Sequence, residues 1–284
     1  MSIKRATMIR DRHLQPGAGP LVVGILNVTP DSFSDGGAFV DPGTAVEAGC
    51  RMADEGADVV DVGGESTRPG SSAVSAEEQI RRTKPVIAEL SRRFGAEGPA
   101  ISIDTRFAAV AKAALDAGAR IINDVSALRD DPEMAAMIAE RGAGAILMHM
   151  KGTPTNMQDN PVYRDVVAEV RSFLAERIEA AVGAGIARER IIVDPGIGFG
   201  KTTEHNLEIL RRIGKFRSLG VPVMVGPSRK RFIGQVLGIE NPADRLMGTM
   251  AAAAACVLSG VELVRVHDVA AARQVVDLCA AIRG

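Results

Sequence analysis

The sequence predicts an α/β protein, a single-domain (β/α)8 TIM barrel, because two kinds of segment alternate regularly along it. Eight short runs rich in β-branched residues recur in the 284-residue chain, and a longer stretch with helical apolar spacing follows each run. The runs are nearly all apolar rather than alternating, as expected of strands in a parallel sheet that is covered by helices. Eight such repeats and this chain length are typical of the barrel. A doubly wound open sheet is the alternative.

The predicted strands are short and apolar, and most are followed by a polar residue. In chain order they are 21–26, 58–62, 100–103, 120–122, 144–148, 190–193, 221–225 and 262–266. No linker rich in proline and glycine divides the chain. We therefore predict one barrel domain over residues 21–284, preceded by an N-terminal extension of residues 1–20.

The predicted helices carry apolar residues at helical spacing. In chain order they are 44–55, 76–93, 107–117, 132–141, 163–184, 204–213, 243–258 and 269–282. Ser75 with Glu78 three residues later marks the start of the second helix, and Asp131 before Pro132 marks the start of the fourth. Glycines mark several of the ends, at Gly56, Gly118, Gly142, Gly185 and Gly260.

Composition excludes several classes of protein. A content of 46% hydrophobic and 24% charged residues excludes disorder and fits an ordinary enzyme. The formal net charge is −1, with 3% aromatic residues and no tryptophan, so neither charge nor base stacking supports a nucleic-acid partner. The N-terminus has no apolar signal segment, and the apolar run around 251–258 is too short to span a bilayer, so no membrane association is expected.

Cysteine usage points to the cytoplasm. The three cysteines, Cys50, Cys256 and Cys279, have no metal-ligand spacing, and their odd number argues against a disulfide framework. We interpret them as small apolar residues on helices in a reducing compartment.

Polar residues follow each predicted strand, at the end of the barrel where active sites of this class lie. One aspartate after a strand is usually a helix cap or a turn former, but eight polar endings at one end of a barrel indicate a site. In strand order they are Asn27, Asp61, Asp104, Asn123 with Asp124, His149, Asp194, Ser228 with Arg229 and Lys230, and Arg265 with His267.

The types of these residues indicate two kinds of ligand group. Asp104, Asn123 and Asp194 suit a flat heterocycle that presents adjacent N–H and NH₂ donors, as guanine and pterin do. Lys230 could meet a ring carbonyl. These side chains predict a pocket for a polar heterocycle.

An anion site is predicted beside that pocket. Arg265 and His267 are two residues apart on one strand, so they point to one face, and phosphates often bind near strands seven and eight of such barrels. Asn27 supplies a neutral oxygen suited to Mg²⁺, which is commonly shared with substrate phosphates. The residues alone therefore predict a barrel enzyme that binds an anion and a heterocycle, without naming the reaction.

Three glycine-rich segments need separate interpretation. Residues 196–201 look faintly like a phosphate loop but lack the Walker spacing, so we reject that interpretation. Residues 31–37 and 63–72 are long polar loops after strands one and two. They are either surface loops without function or mobile active-site loops, and their place at the catalytic end favours the second alternative.

Several motifs together resemble dihydropteroate synthases, in that family's order, from about residue 21 to the C-terminus. The variable position of the family's GxSRK motif is Pro227 here. The matching segments are GILNVTPDSFSDGG (24–37), DVGGESTRPG (61–70), SIDT (102–105), IINDVSA (121–127), LMHM (147–150), DPGIGFGK (194–201), GPSRK (226–230) and RVHD (265–268).

The resemblance implies that 6-hydroxymethyl-7,8-dihydropterin diphosphate and p-aminobenzoate give 7,8-dihydropteroate and diphosphate, with Mg²⁺ as cofactor. The implied pterin-binding residues are Asp104, Asn123, Met148, Asp194 and Lys230. The implied diphosphate-binding residues are Asn27, Thr67, Arg68, Arg265 and His267, of which Asn27 would also bind the metal. The implied p-aminobenzoate-binding residues are Phe33, Thr67, Pro69, Phe199, Ser228 and Lys230. Catalytic roles would fall to Asp35, Asp104 and Lys230, with Asp61 supporting the binding residues from behind.

The resemblance further implies that diphosphate departs before the amine attacks, and that the chain forms a homodimer. The alanine-rich helix 243–258 could supply close packing at a dimer interface, although a helix that packs on the barrel would look the same. The alternatives are a pterin-binding methyltransferase domain and a non-catalytic pterin or anion carrier. The STRPG, SRK and RVHD segments favour the synthase. We also expect Arg265 to serve the anion alone, independently of the pterin.

Overall fold

Eight parallel strands form the inner wall of the computed structural model, which describes residues 20–29, 41–65, 74–153 and 156–283. The strands are β1 (Leu21–Asn27), β2 (Val59–Gly63), β3 (Ala100–Asp104), β4 (Ile121–Asp124), β5 (Gly144–Met148), β6 (Ile191–Asp194), β7 (Met224–Val225) and β8 (Leu263–Val266). All eight predicted strands are present, and most of their ends lie within one residue of the predicted position.

The strands run in the order β6-β5-β4-β3-β2-β1-β8-β7, and the two ends of the sheet meet to close the barrel. A parallel bridge pairs Val193 of β6 with Val223, and the Val193 amide donates to the Pro222 carbonyl at 3.0 Å. Strand β7 is shorter than predicted. Pro222 lies in the predicted strand and has no N–H to donate to the ladder. The predicted TIM barrel is confirmed, and the open-sheet alternative is wrong.

Helices surround the strands. Within the described ranges they are α1 (Pro42–Asp54), α2 (Ala76–Phe94), α3 (Ala108–Asp116), α4 (Met134–Arg141), α5 (Val166–Gly183), α6 (Thr203–Arg211), α7 (Arg231–Leu237), α8 (Leu246–Leu258) and α9 (Val269–Arg283). Helix α5 starts later than predicted because the Asp165 side chain accepts from the Val167 and Ala168 amides as an N-cap. Helix α8 starts later because Pro242–Arg245 form a 3-10 turn.

Helix α7 was not predicted. It has seven residues, between Lys230 and Gly238, and Gly238 ends it in the left-handed conformation at φ 69°. Two turns of helix carry too few residues for an apolar period to stand out. None of the helices in the ranges listed above has the length and apolar character required to cross a membrane.

The interior of the barrel changes from apolar to polar along its axis. The apolar layer consists of Leu21, Val23, Val59, Ala100, Ile121, Ile146, Ile192, Met224 and Leu263. Side chains that point to one face of a strand are two residues apart. The next inward positions are therefore Asp61, Ser102, Asn123, Met148, Asp194 and Arg265. The polar strand ends stand directly on a packed hydrophobic layer, which positions the site.

Outward-facing strand residues pack against the helices in a second, larger apolar cluster. Helices α1 and α2 approach closely at Gly49, where an added Cβ would lie 2.8 Å from Leu90 Cδ2. Leu90 is fully buried. This cluster holds the helices to the barrel, so the strand ends have a rigid base.

Candidate active site

A cavity of about 790 Å³ opens at the carboxyl ends of the strands. Its volume is in the range of pockets that bind small molecules. Six residues at strand ends or just beyond them line it: Asn27, Asp104, Ser228, Lys230, Arg265 and His267. The cavity therefore collects side chains from β1, β3, β7 and β8, as a barrel active site does.

Arg265 is at the centre of a buried charged network. Its Nε donates to Asp61 Oδ2 at 2.7 Å and its Nη2 donates to Asp104 Oδ2 at 2.8 Å. Asn123 Nδ2 donates to the same Asp61 oxygen at 2.9 Å. Asp61 is fully buried and does not border the cavity, whereas Asp104 and Arg265 do. Asp61 thus fixes Arg265 and Asn123 from behind.

Burial controls the charge of this network. It raises the pKa of the Asp104 carboxyl from 3.8 to about 7; Arg265 opposes this shift, and Asp61 adds to it. Burial also works against the charge on Arg265, but Asp61 and Asp104 outweigh it and raise the pKa of that guanidinium. One permanent cation shared between two carboxylates leaves Asp104 able to gain a proton near neutral pH.

Asp194 offers a second carboxylate, on β6. Its Oδ1 accepts from the Gly196 amide at 2.7 Å, while within the described structure Oδ2 accepts no hydrogen bond. Burial raises the pKa of Asp194, opposed by that amide and by Lys230. Asp194 is thus a fixed acceptor at the inward end of its strand.

Lys230, Phe199 and Ser228 form another wall of the cavity. The Lys230 ammonium lies 4.2 Å from the centroid of the Phe199 ring, in cation–π geometry. Ser228 Oγ accepts from the His267 amide at 3.1 Å and lies 2.9 Å from His267 Nδ1. This wall combines an aromatic face, a cation and a hydroxyl, which suits a flat ligand with an anionic end.

Comparison with known proteins identifies the family. The family model described as pterin binding enzyme matches residues 23–267. The dihydropteroate synthase of Synechocystis sp. is 44% identical over 266 residues, 94% of this chain and 91% of that protein. The structure of Xanthomonas albilineans dihydropteroate synthase with 4-aminobenzoic acid aligns with a TM-score of 0.87 at 47% identity and covers 94% of both chains. The same enzyme in complex with 7,8-dihydropteroate aligns with a TM-score of 0.83 at 44% identity, again over 94% of both chains.

This chain belongs to the dihydropteroate synthase family. The resemblance stated from the motifs is therefore confirmed at the level of the family. The structure brings some of the family's motifs together, and other motif residues lie outside the part of the chain that it describes. Phe33, Asp35, Thr67, Arg68 and Pro69 lie outside the described residues, so their roles stay predictions.

For the remaining predicted residues, the structure gives positions. Seven line the cavity: Asn27, Asp104, Phe199, Ser228, Lys230, Arg265 and His267. Asn123 does not line it, but it pairs with Asp104 in the β3–β4 register and donates to Asp61. Asp194 faces inward beside them, and Met148 packs in an apolar cluster with Val125, Met150, Met157 and Phe199. Their binding roles remain predictions of the family resemblance.

Asp124 and His149, two other polar strand endings, make structural contacts instead of lining the cavity. The Asp124 carboxylate accepts from the Ser126 and Leu128 amides at 2.7 and 2.9 Å, so it shapes the loop after β4. The His149 ring packs edge-on against Phe173 with centroids 4.9 Å apart. Burial, with Lys201 nearby, lowers the pKa of His149 to about 2, so the ring is neutral. Both residues are structural.

The glycine-rich segment after β6 holds a buried lysine that the motif analysis did not single out. Lys201 Nζ donates to the carbonyls of Gly196 and Phe199 at 2.9 Å each and lies 2.9 Å from His149 Nδ1. Lys201 therefore fixes the turn that carries Phe199. Burial lowers the pKa of Lys201 to about 7. A lysine directly after a Gly-x-Gly-x-Gly run was the available signal.

Glu65 also lines the cavity and was not predicted as a site residue. Its Oε1 accepts from the Val74 amide at 3.1 Å, and its Oε2 accepts from Gln79 Nε2 at 3.0 Å. A glutamate inside the long motif that begins at Asp61 carried no separate signal. Its described contacts tie the end of β2 to the start of α2.

The donors at the cavity fit Mg²⁺ in only one mode. The described residues contain no group of three or more His, Cys, Asp or Glu side chains arranged to hold a metal. Asn27 lines the cavity, and its side chain makes no hydrogen bond within the described structure. A single neutral oxygen is what Mg²⁺ needs from a protein when substrate phosphates and water complete its shell. The described residues therefore fit a Mg²⁺ ion that is shared with the substrate phosphates.

The raised pKa of Asp104 predicts how stability depends on pH. An unfolded aspartate ionises near 3.8, whereas the folded carboxyl keeps its proton up to about 7. Across that window the folded state binds more protons than the unfolded state, so the contribution of Asp104 to the free energy of unfolding falls as pH rises. Above about pH 7 that contribution is lost.

We therefore expect Asp104→Asn to unfold at higher urea concentration than the unsubstituted protein at pH 8, with a smaller difference at pH 5. Urea titration at several pH values measures this directly. Asp277→Asn, an exposed aspartate of α9, is the control. Parallel pH profiles for Asp104→Asn and the unsubstituted protein would contradict the assignment.

Proposed function

We infer that this chain joins 6-hydroxymethyl-7,8-dihydropterin diphosphate to p-aminobenzoate, and releases 7,8-dihydropteroate and diphosphate. The observation that carries this conclusion is the meeting of carboxylate and amide acceptors with a cationic wall in one cavity, in a chain of this family. The 4-aminobenzoic acid and 7,8-dihydropteroate complexes of the Xanthomonas relative support both the acceptor substrate and the product. A methyl transfer would need neither the aromatic wall of Phe199 nor its cation.

The reaction replaces one bond by another at the pterin methylene carbon. The C–O bond to diphosphate breaks and its electron pair leaves with the diphosphate. The aniline nitrogen then forms the C–N bond and releases a proton. Departure of diphosphate first leaves a cation that the pterin ring stabilises by resonance. Asp104, ionised and held by Arg265, would stabilise that cation electrostatically.

The pterin would be held by Asp104, Asn123 and Asp194, whose oxygens face the N–H donors of the ring edge. Lys230 would meet the ring carbonyl, and Met148 would cover one face. Arg265 and His267 would bind the diphosphate, with Mg²⁺ on Asn27 neutralising the leaving group. Asp61 supports this set from behind through Arg265 and Asn123.

The geometry argues against the expected independence of the anion and pterin subsites. Arg265 bonds to Asp104 at 2.8 Å, so one residue of the anion set also fixes a residue of the pterin set. Removing Arg265 would leave two buried carboxylates without their cation. Its loss should therefore weaken the binding of pterin as well as of anions.

A diphosphate-release assay tests the function. We expect release only when the pterin diphosphate and p-aminobenzoate are both present, and much slower release when Mg²⁺ is chelated. Phosphate-free buffer with each substrate alone is the control. Release with the pterin diphosphate alone would indicate a hydrolase, and no release with both substrates would contradict the proposal.

Asp194→Ala should abolish most of the affinity for a pterin analogue. Ring donors that have left water would face no acceptor in a buried pocket, at a cost of about 3 kcal/mol or more. Calorimetric titration with the analogue measures the loss, and Asp194→Asn, which keeps one acceptor oxygen, should lose less. An affinity for Asp194→Ala close to that of the unsubstituted protein would remove Asp194 from the pterin site.

We further propose that two copies of the chain associate through α7, α8 and α9. Helix α8 buries one apolar face against the barrel and exposes another at Met247, Ala251, Ala255 and Leu258. Exposed apolar residues on the flanking helices extend this surface: Val236 and Leu237 on α7, and Leu278 and Ile282 on α9. Exposed apolar residues grouped on neighbouring helices support an interaction site there. On this proposal, α8 would pack on the barrel with one face and on the second copy with the other.

Met247→Glu should convert the dimer to a monomer, because Met247 is 78% exposed and a charge at the centre of an apolar interface would be buried unpaired. Sedimentation velocity measures the change. Val162→Glu, at another exposed apolar position (64%), should leave the dimer intact. A monomer in the unsubstituted protein, or a dimer in Met247→Glu, would contradict this interface.

The cytoplasm is the proposed location. Cys50, Cys256 and Cys279 are all free thiols, and the last two are buried. This agrees with a reducing compartment. The substrates are small molecules, and the site described above contains no surface suited to a nucleic acid.

A further inference from the structure

The residue between Ser228 and Lys230 has an unusual backbone conformation. Arg229 has φ +56°, in the left-handed region that residues other than glycine rarely adopt. Such a conformation is unfavourable for an arginine and persists only where its surroundings hold it. The Arg229 side chain turns to Asp268, with Nε–Oδ2 3.1 Å and Nη2–Oδ1 2.5 Å.

Both polar groups of the Arg229 backbone are held from the start of α8. Its N–H donates to Thr249 Oγ1 at 3.0 Å, and its carbonyl accepts from Arg245 Nη1 at 3.1 Å. The Thr249 hydroxyl donates in turn to the Arg245 carbonyl at 2.9 Å. These three bonds close a ring through Arg229, Thr249 and Arg245, and Thr249 is fully buried.

The conformation of Arg229 decides where its neighbours point. With Arg229 left-handed and its side chain on Asp268, Ser228 and Lys230 on either side of it both line the cavity. Lys230 reaches the Phe199 ring, and Ser228 reaches His267. An extended Arg229 would reverse the path of the chain at this point and move at least one of the two out of the wall.

We propose that Thr249 is a positioning residue for the reaction: through the backbone of Arg229 it aims Ser228 and Lys230 at the p-aminobenzoate. Arg245 completes the same ring. The inference rests on the proposed function, since it names a residue that shapes the acceptor subsite of that reaction. Thr249 itself does not line the cavity, so it acts only through Arg229.

A purely structural role for the hydroxyl is the competing explanation. Buried threonines in helices often donate to the carbonyl four residues earlier, as Thr249 does to Arg245. That bond satisfies the hydroxyl hydrogen alone. The oxygen also accepts an amide from a different element at a strained residue, and this second bond has no role in holding the helix.

The test compares Thr249→Val with Thr249→Ser in the full-length enzyme. Valine keeps the volume and removes the hydroxyl, whereas serine keeps the hydroxyl. We expect kcat/KM for p-aminobenzoate to fall about tenfold or more in the valine variant, because small misplacements of binding groups cost that much. Serine should restore it to within about threefold. Ser259→Ala, which removes a similar hydroxyl-to-carbonyl bond at the other end of the helix, should match the unsubstituted enzyme.

A second measurement separates positioning from general destabilisation. Calorimetry with a pterin analogue should show a smaller loss than kcat/KM does, because Lys230 is the single predicted pterin residue in this segment and Asp104, Asn123 and Asp194 lie on other strands. Unchanged kinetics in Thr249→Val, or an equal loss in the serine variant, would overturn the proposal. If the valine variant does not fold, Arg245→Lys breaks the same ring, and unchanged kinetics there would also overturn it. An unsubstituted enzyme that releases no diphosphate would instead refute the proposed function.

Discussion

The site depends on one guanidinium shared between two buried carboxylates. Arg265 is the cation that Asp61 and Asp104 both contact, at 2.7 and 2.8 Å, directly above the apolar layer of the barrel. Two carboxylates at this depth could not both ionise without it, and it could not stay there without them. Because Arg265 enters from β8 and its partners from β2 and β3, the network ties three strands together at the carboxyl end of the barrel.

Two further devices hold the rest of the cavity wall without touching that network. Lys201 fixes the turn that carries Phe199, and the Thr249–Arg245 ring fixes the left-handed Arg229 beside Lys230. The two meet where the Lys230 ammonium covers the Phe199 ring at 4.2 Å. Each holds a loop by satisfying backbone groups of that loop. Such support of binding residues from behind is what precise catalytic geometry requires.

The sequence predicts most of the fold because buried parallel strands and covering helices leave strong, different apolar patterns. It predicts most of the site for a related reason, since active residues of a barrel follow its strands. The site predictions that were wrong concern the direction in which a side chain points at the end of a strand. Asn123 and Asp124 are adjacent, but one points into the barrel and the other shapes a loop. His149 lies one residue beyond the inward Met148 and so faces Phe173. The Arg229 ring depends on contacts between distant segments, which no local pattern records.

The protonation of Asp104 shows how the site exchanges stability for function. Without a ligand, burial favours the neutral carboxyl up to about pH 7, and the buried oxygen Asp61 Oδ1 and the hydroxyl Ser102 Oγ lack partners within the described structure. Each of these features lowers the free energy of unfolding, and a core built only for stability would lack them. In the proposed reaction, a developing cation at the pterin methylene would reverse the balance at Asp104, since it would favour the ionised carboxylate at the moment when charge appears. A carboxylate already neutralised by a closer partner could not respond in this way. Asp104 shares Arg265 with Asp61 and has no cation of its own. Its carboxyl can therefore still change its ionisation when positive charge develops nearby.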